Sequence, residues 1–432
     1  MYEFHPYFTN DDSVGLYSPE FDDIYHSSTG ALTEAYEKFI MPVNMDELLK
    51  KDKIKILDIC FGIGYNSKSF LNFIFEKNFS KKFLKKYSHA NSSIGAIYAD
   101  NYMKQNKTIY NDEIYADNVF DKISVTAIDN DKILAYLSPF IKTGKINFKN
   151  ENFDFNKKNI DKYLKKGKLS NNRKINNLIN FLIFEKIAQN NPDFLSEEAV
   201  IRIISDKKLA KFFEDDIRGI YRGKTRGGNT SILRTILSGF LSFLHNIYYR
   251  HVANSYKKRL KHYHLDNVAF DLKIDDARNV IKNDNNLYNL IFLDAFTPSK
   301  CPCLWSYEFF KLLYSHLESD GMILTYSTSA SIRSAMLEAG FHIGNIYNER
   351  ENKFTGTVAT KDKSLIKYNL SEFDLGILKT TAGLFYRDEN LTAQNEAIFA
   401  ARQNEVKNSD RISTSQYKKK FNKEEACKTT TY

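Results

Sequence analysis

"KIKILDICFGIGYNSKSFLNFIF", residues 53–75, reads in order as a strand, a glycine turn and a helix. Ile54–Ile59 is a short, bounded apolar run, and Leu71, Ile74 and Phe75 recur at helical spacing behind a helix start at Asn66-Ser67. Gly62 and Gly64 stand between the two elements. Glycine lets the backbone approach a ligand closely, and a helix N-terminus offers unpaired N–H groups. A strand that delivers an acid, Asp58, into such a turn has the shape of a nucleotide-binding site. Ser67 occupies the place of the third glycine in the dinucleotide fingerprint. An ordinary tight turn uses the same residues, so this stretch alone leaves both readings open.

The same alternation continues on both sides. "KISVTAIDNDKILAYLSPF" (122–140) is again strand then helix, and from "NVAFDLKIDDARNVI" (267–281) onward strands and helices alternate as far as "GTVATKD" (356–362). The pattern predicts one α/β sheet interrupted by large, mostly helical insertions rather than two domains, because neither half has enough strands to cover both faces. The expected division is an N-terminal extension over 1–50 and a first half of the core over 51–149, with an insertion at about 77–118. A basic, mostly helical insertion follows over 150–264, then a second half over 265–361 and a charged tail over 362–432.

Four acids fall at the ends of predicted strands: Asp58, Asp129 in "VTAIDND", Asp276 in "IDDAR" and Asp294 in "LIFLDAFTPSKCPCLW" (290–305). In an open α/β sheet, ligands sit outside the carboxyl ends of the strands. Asp129 is suited to a ribose diol and Asp276 to an adenine edge. An acid ahead of the glycines, with no call for a phosphate, suits S-adenosylmethionine better than a pyrophosphate. Each acid alone reads equally as a turn cap. A charge at the edge of a core is costly unless paired or used, and Asp294, delivered into an Ala-Phe-Thr-Pro turn, is the candidate for chemistry.

Composition sets the outer bounds. The 432 residues are 42% hydrophobic, 27% charged and 14% aromatic, enough to build a core. Cys60, Cys301, Cys303 and Cys427 fit neither a disulfide framework nor a zinc site, so no metal and a reduced cytoplasmic setting are expected. No 18-residue apolar run or signal pattern occurs, so no membrane is expected. Net charge is +9, but residues 207–264 alone carry +10. There Tyr248, Tyr249, Arg250, Lys257, Lys258 and Arg259 interleave rings and cations as an RNA-binding surface would. A solvated basic helix face has the same signature. Trp305 reads as core packing over the Asp294 loop.

Several blocks together resemble the methyltransferase domain of MnmC-type tRNA-modifying enzymes. They are "SPEFDDIYHSSTGALTEAYEKF" (18–39), "LDICFGIGYN" (57–66), "FLDAFTPSKCPCLWSYEFF" (292–310), "TYSTSASIRSAMLEAGF" (325–341), "FTGTVATK" (354–361) and "FYRDENL" (385–391). The resemblance implies a Rossmann-like S-adenosyl-L-methionine-dependent methyltransferase fold, a seven-stranded sheet with its last strand antiparallel. It implies N-methylation of the aminomethyl group on a tRNA wobble uridine, giving 5-methylaminomethyl(-2-thio)uridine, with the tRNA anticodon stem-loop as partner. Carried onto this chain, Gly62, Gly64 and Asn66 contact the cofactor, with Asp129 at the ribose and Asp276 near adenine. Tyr25 and Glu34 help close the pocket. Asp294 sits beside the amine, and Phe296 and Pro298 pack on its planar carrier. No glycine-rich nucleotide turn follows residue 361, so a free-standing form without the FAD oxidase half is expected, dependent on separate enzymes for its aminomethyl substrate. Two alternatives stay open at this point: an aminopropyltransferase of the spermidine-synthase kind, and a non-catalytic tRNA-binding protein of the same fold. An NAD-linked oxidoreductase is disfavoured by Ser67.

Overall fold

The computed structural model describes residues 4–19, 23–25, 30–75, 119–144, 172–225, 235–348 and 351–429. The expected insertion at 77–118 lies outside the described residues, as do the first residues of the 150–264 segment.

Three short antiparallel strands, β1 (His5–Phe8), β2 (Val14–Ser18) and β3 (Asp23–Tyr25), form a separate small sheet. Each is too short and too polar for its alternation to stand out in the sequence. The main sheet contains β4 (Ile54–Ile59), β5 (Ile123–Asp129), β6 (Ala269–Ile274), β7 (Tyr288–Leu293), β8 (Leu317–Thr325), β9 (His342–Asn348) and β10 (Lys353–Thr360). Their spatial order is β6-β5-β4-β7-β8-β10-β9. The pairs from β6 through β8 are parallel, and β10 runs antiparallel to both β8 and β9. This is the Rossmann-like methyltransferase topology, with the last strand in the chain reversed.

The central strands are buried on both faces, as parallel strands under crossover helices must be. Ile56, Val125, Leu290, Phe292 and Leu324 point into one apolar layer. Their strand neighbours Leu57, Ile59, Ile128, Ile291, Leu293 and Ile323 point into the other. The first layer is covered by the helix over 65–75, the N-terminal helix Ala31–Ala35 with its π-helical continuation Tyr36–Ile40, and the inserted helix Asn172–Asn190. The second is covered by helices Ala277–Lys282, Tyr307–Ser315 and Ala330–Glu338.

The charged segment after residue 361 is largely helical among the described residues. It forms helices Glu372–Leu378, Asn395–Asn408 and Thr414–Thr429, and it buries Tyr386, Asp388 and Ile398. Tyr386 and Ile398 lie in the short apolar runs Leu384–Tyr386 and Ala397–Ala401, and Asp388 is a single acid among polar neighbours. Among the described residues no helix is long and apolar enough to cross a membrane.

Candidate active site

The glycine turn after β4 is unusual backbone throughout. Cys60, Gly62 and Gly64 have φ of 62°, 55° and 81°. At Gly64 a Cβ would lie 2.5 Å from the Phe61 ring and 2.8 Å from Ser138 Oγ, so only glycine fits. At Gly62 a Cβ would meet nothing closer than 3.9 Å, so this position faces open space. The turn is stitched by Phe61 N to Ile128 O at 2.9 Å and Gly64 N to Phe61 O at 2.8 Å. Tyr65, at the start of the helix, ties it to the N-terminal sheet: its hydroxyl accepts from Val14 N at 2.9 Å and donates to Val14 O at 3.1 Å.

Asp58 lies beneath the turn with no solvent exposure. Its Oδ2 accepts from the backbone N–H and hydroxyl of Ser67, while Oδ1 is buried without a hydrogen-bond partner. Burial pushes its carboxyl up to about 8, against the Ser67 hydrogen bonds, and the nearby Asp294 and Asp129 push the same way. The residue that broke the dinucleotide pattern is therefore the partner of the strand-end acid. Asp129 accepts from Gly62 N at 2.6 Å and from Asp131 N at 2.8 Å. Burial raises it to about 6, and those two N–H groups limit the rise.

Asp276 follows β6, whose end is joined to β5 by Asp275 N donating to Asp129 O at 3.1 Å. It caps helix Ala277–Lys282 and receives the Arg278 guanidinium side-on, with Nη2 to Oδ2 at 2.7 Å. Burial opposes ionisation there, but the Arg278 hydrogen bonds hold the carboxyl below its ordinary range.

Asp294 completes the row. Its N–H reaches Ile59 O at 3.4 Å, and its Oδ2 accepts from Asn66 Nδ2 at 3.0 Å. That bond brings together residues 228 apart, from the glycine turn and the Asp-Ala-Phe-Thr-Pro turn. The latter is pinned through its carbonyls. Ala295 O accepts from the Tyr326 hydroxyl at 2.9 Å, and Phe296 O from the Trp305 indole N–H at 2.8 Å. Trp305 is fully buried, as a residue packing under this loop should be. Phe296 and Pro298 stay half-buried beside Asp294.

Glu34 pairs with Lys38, whose ammonium lies 5.5 Å from the centre of the Tyr326 ring. The N-terminal helix thereby reaches the Asp294 loop through Lys38 and Tyr326, neither of which was singled out from sequence. Tyr25 belongs to β3, opposite Leu16; its side chain lies outside the described set.

The basic residues lie elsewhere. Helix Thr235–His262 feeds through Leu265–Asn267 into the start of β6, at the amino end of the sheet, whereas Asp294 is at the carboxyl end. A six-residue strand such as β6 separates those ends by about 20 Å. Lys257 pairs with Glu185 at 2.9 Å, Arg259 stands over the Tyr256 ring, and Lys258 is exposed. Together with Lys186, His251 and Lys261, Lys257 and Lys258 border a groove of about 760 Å³ distinct from the carboxylate site. Tyr248 is 55% exposed and Arg250 is exposed, while Tyr249 packs against Gly219.

Cys60, Cys301 and Cys303 are free thiols. Among the described residues no group of His, Cys, Asp and Glu could hold a metal ion. Asp58, Asp129, Asp276 and Asp294 thus stand at or just after the carboxyl ends of β4, β5, β6 and β7, beside a turn left open at Gly62.

Residues 241–362 match the family described as S-adenosyl-L-methionine-dependent methyltransferase. An uncharacterized protein of Methanocaldococcus jannaschii is 29% identical over 160 residues, 34% of this chain and 44% of that protein. The tRNA 5-methylaminomethyl-2-thiouridine biosynthesis bifunctional protein MnmC of an Azoarcus species is 33% identical over 82 residues, 18% of this chain and 13% of that protein. The chain thus spans less than half the length of these curated relatives. The crystal structure of MnmC2 from Aquifex aeolicus superposes with a TM-score of 0.51 at 19% identity, over 94% of this chain and 86% of that one.

Proposed function

We propose that this chain, whose core is an S-adenosyl-L-methionine-dependent methyltransferase domain of the MnmC type, methylates the aminomethyl nitrogen on a tRNA wobble uridine. The observation that carries the reading is the Asn66–Asp294 hydrogen bond, which puts the acid of the Asp-Ala-Phe-Thr-Pro turn at the mouth of the glycine turn.

S-adenosylmethionine supplies an electrophilic methyl on a cationic sulfur, and the donors it brings are a ribose diol, an adenine amine and an ammonium group. Those demands match the residues present. Gly62 leaves room, Asp129 is the acceptor for the diol, Asp276 for the adenine edge, and Asp58 is the counter-charge for the amino-acid end.

Asp294 then has two tasks on the acceptor side. As a hydrogen-bond acceptor it turns the lone pair of a neutral amine toward the methyl, and positioning of this kind supplies much of the rate of a displacement. As a carboxylate it takes the proton that the nitrogen sheds once it becomes an ammonium. Asn66 orients Asp294, and Trp305 and Tyr326 hold the turn that carries it. Phe296 and Pro298 flank the planar base. The exposed cations of helix Thr235–His262 are a second, remote contact for the RNA backbone, on the far end of the sheet.

The test is transfer of an isotope-labelled methyl to tRNA that carries or lacks the wobble aminomethyl group. Label should enter only the aminomethyl-bearing pool. Transfer from decarboxylated S-adenosylmethionine to a polyamine would replace the reading with aminopropyl transfer. Cofactor and RNA binding with no transfer to either pool would leave a binding protein.

A further inference from the structure

Asp388 lies in the "FYRDENL" block (385–391), beyond the end of the family match at residue 362. It is 3% exposed. Its Oδ1 accepts from Thr392 N and Ala393 N, both at 3.0 Å, in a turn whose Leu391 has φ of 56°. Its Oδ2 accepts from Arg278 Nη1 at 2.7 Å, and the same guanidinium nitrogen also donates to Ala393 O at 2.9 Å. Arg278 is itself buried. Two further donors go to Asp276, Nε at 3.1 Å from both carboxylate oxygens and Nη2 at 2.7 Å from Oδ2.

The planar fork of a guanidinium fixes both partners at once. One side of Arg278 is clamped by the C-terminal turn, so the other side presents the Asp276 carboxylate in one orientation. Asp276 Oδ1 also accepts from Arg278 N at 2.8 Å, but the side chain keeps 35% exposure, so an edge at Oδ2 stays open. A carboxylate has roughly four acceptor positions, and the open edge retains capacity for a further donor.

We propose that Asp388, acting through Arg278, is a positioning residue that sets Asp276 to recognise the exocyclic amine of the cofactor's adenine. This rests on the assignment of Asp276 to the adenine edge made above. The C-terminal segment thereby belongs to the cofactor site, although it contributes no group that touches the ligand. A buried pair kept only for stability would look alike in a melting curve but would not change which base is bound.

The experiment uses the full chain and compares the calorimetric affinities of S-adenosylhomocysteine and S-inosylhomocysteine, which replaces the exocyclic amine with a carbonyl. The parental protein should prefer the adenosyl compound, and Asp388→Asn should shrink that preference by about tenfold or more, the scale of one hydrogen bond to a charged group. Arg278→Lys, which keeps the buried charge but loses the fork, should do the same and decides the matter if Asp388→Asn does not fold. Asp276→Asn separates the two layers. If it leaves the preference intact, the adenine assignment itself is wrong. If it abolishes the preference while folded Asp388→Asn and Arg278→Lys proteins retain it, the positioning role of Asp388 is overturned.

Discussion

Asn66 is expected to act on the reaction only through Asp294, and a double-mutant cycle measures that dependence. Removal of Asp294 as Asp294→Ala should cost about 10²–10⁴ in single-turnover rate, or roughly 3–5 kcal/mol, the range for a lost acid–base or positioning group. The Asn66 Nδ2–Asp294 Oδ2 hydrogen bond is 3.0 Å long and half-buried. A bond of that kind to a charged acceptor contributes about 1.5–3 kcal/mol, so Asn66→Ala should slow transfer by roughly ten- to hundredfold. Once Asp294 is gone there is nothing left for Asn66 to orient. The Asn66→Ala/Asp294→Ala protein should therefore react at the Asp294→Ala rate, with a coupling energy equal to the whole single effect of Asn66. The assay is rapid-quench methyl transfer to aminomethyl-bearing tRNA at saturating S-adenosylmethionine, with cofactor affinity measured separately. Additive losses would show that Asn66 serves the reaction by another route and that its bond to Asp294 is incidental.

Gly62→Val places a β-branched side chain at φ 55° and into the open space beside the turn, so S-adenosylhomocysteine binding should disappear in calorimetry while the circular dichroism of the fold persists. Asp58 moves from 3.8 to about 8 on burial, so the folded protein holds this proton more tightly than the unfolded chain. The resulting stability is fully present below about pH 4 and is lost as pH rises through about 8. Denaturant titrations of the free protein should show that decline, and S-adenosylhomocysteine should bind more tightly from about pH 6 to 8 as the acid ionises. Trp305→Phe removes the donor to Phe296 O and should cost about 1–3 kcal/mol in urea unfolding. It should also lower the transfer rate with cofactor affinity unchanged.

What could be read in advance was local. The glycine turn and strand-end acids announce themselves because a strand, two glycines and a helix start are contiguous, and the α/β class follows from the alternation of strands and helices. Ser67 read as a missing glycine, because nothing in the sequence shows that its hydroxyl turns back onto Asp58. Arg278 and Asp388 are 110 residues apart and share no periodicity, so their pairing became visible only in three dimensions. The charge over 207–264 was evident, but not the end of the sheet on which Lys257 and Lys258 lie, since that depends on how the helix enters β6. Strands β1–β3 escaped because three to five residues are too few for alternation to register.

The most direct trial of the central claim is mass spectrometry of tRNA wobble nucleosides from cells with and without this gene. Loss of the gene should remove the methylaminomethyl nucleoside and accumulate its aminomethyl precursor. Restoring the parental chain should reverse both changes, and restoring Asp294→Ala should reverse neither. An unchanged wobble profile, in cells shown to make the aminomethyl precursor, would contradict the assignment of this site to that nitrogen.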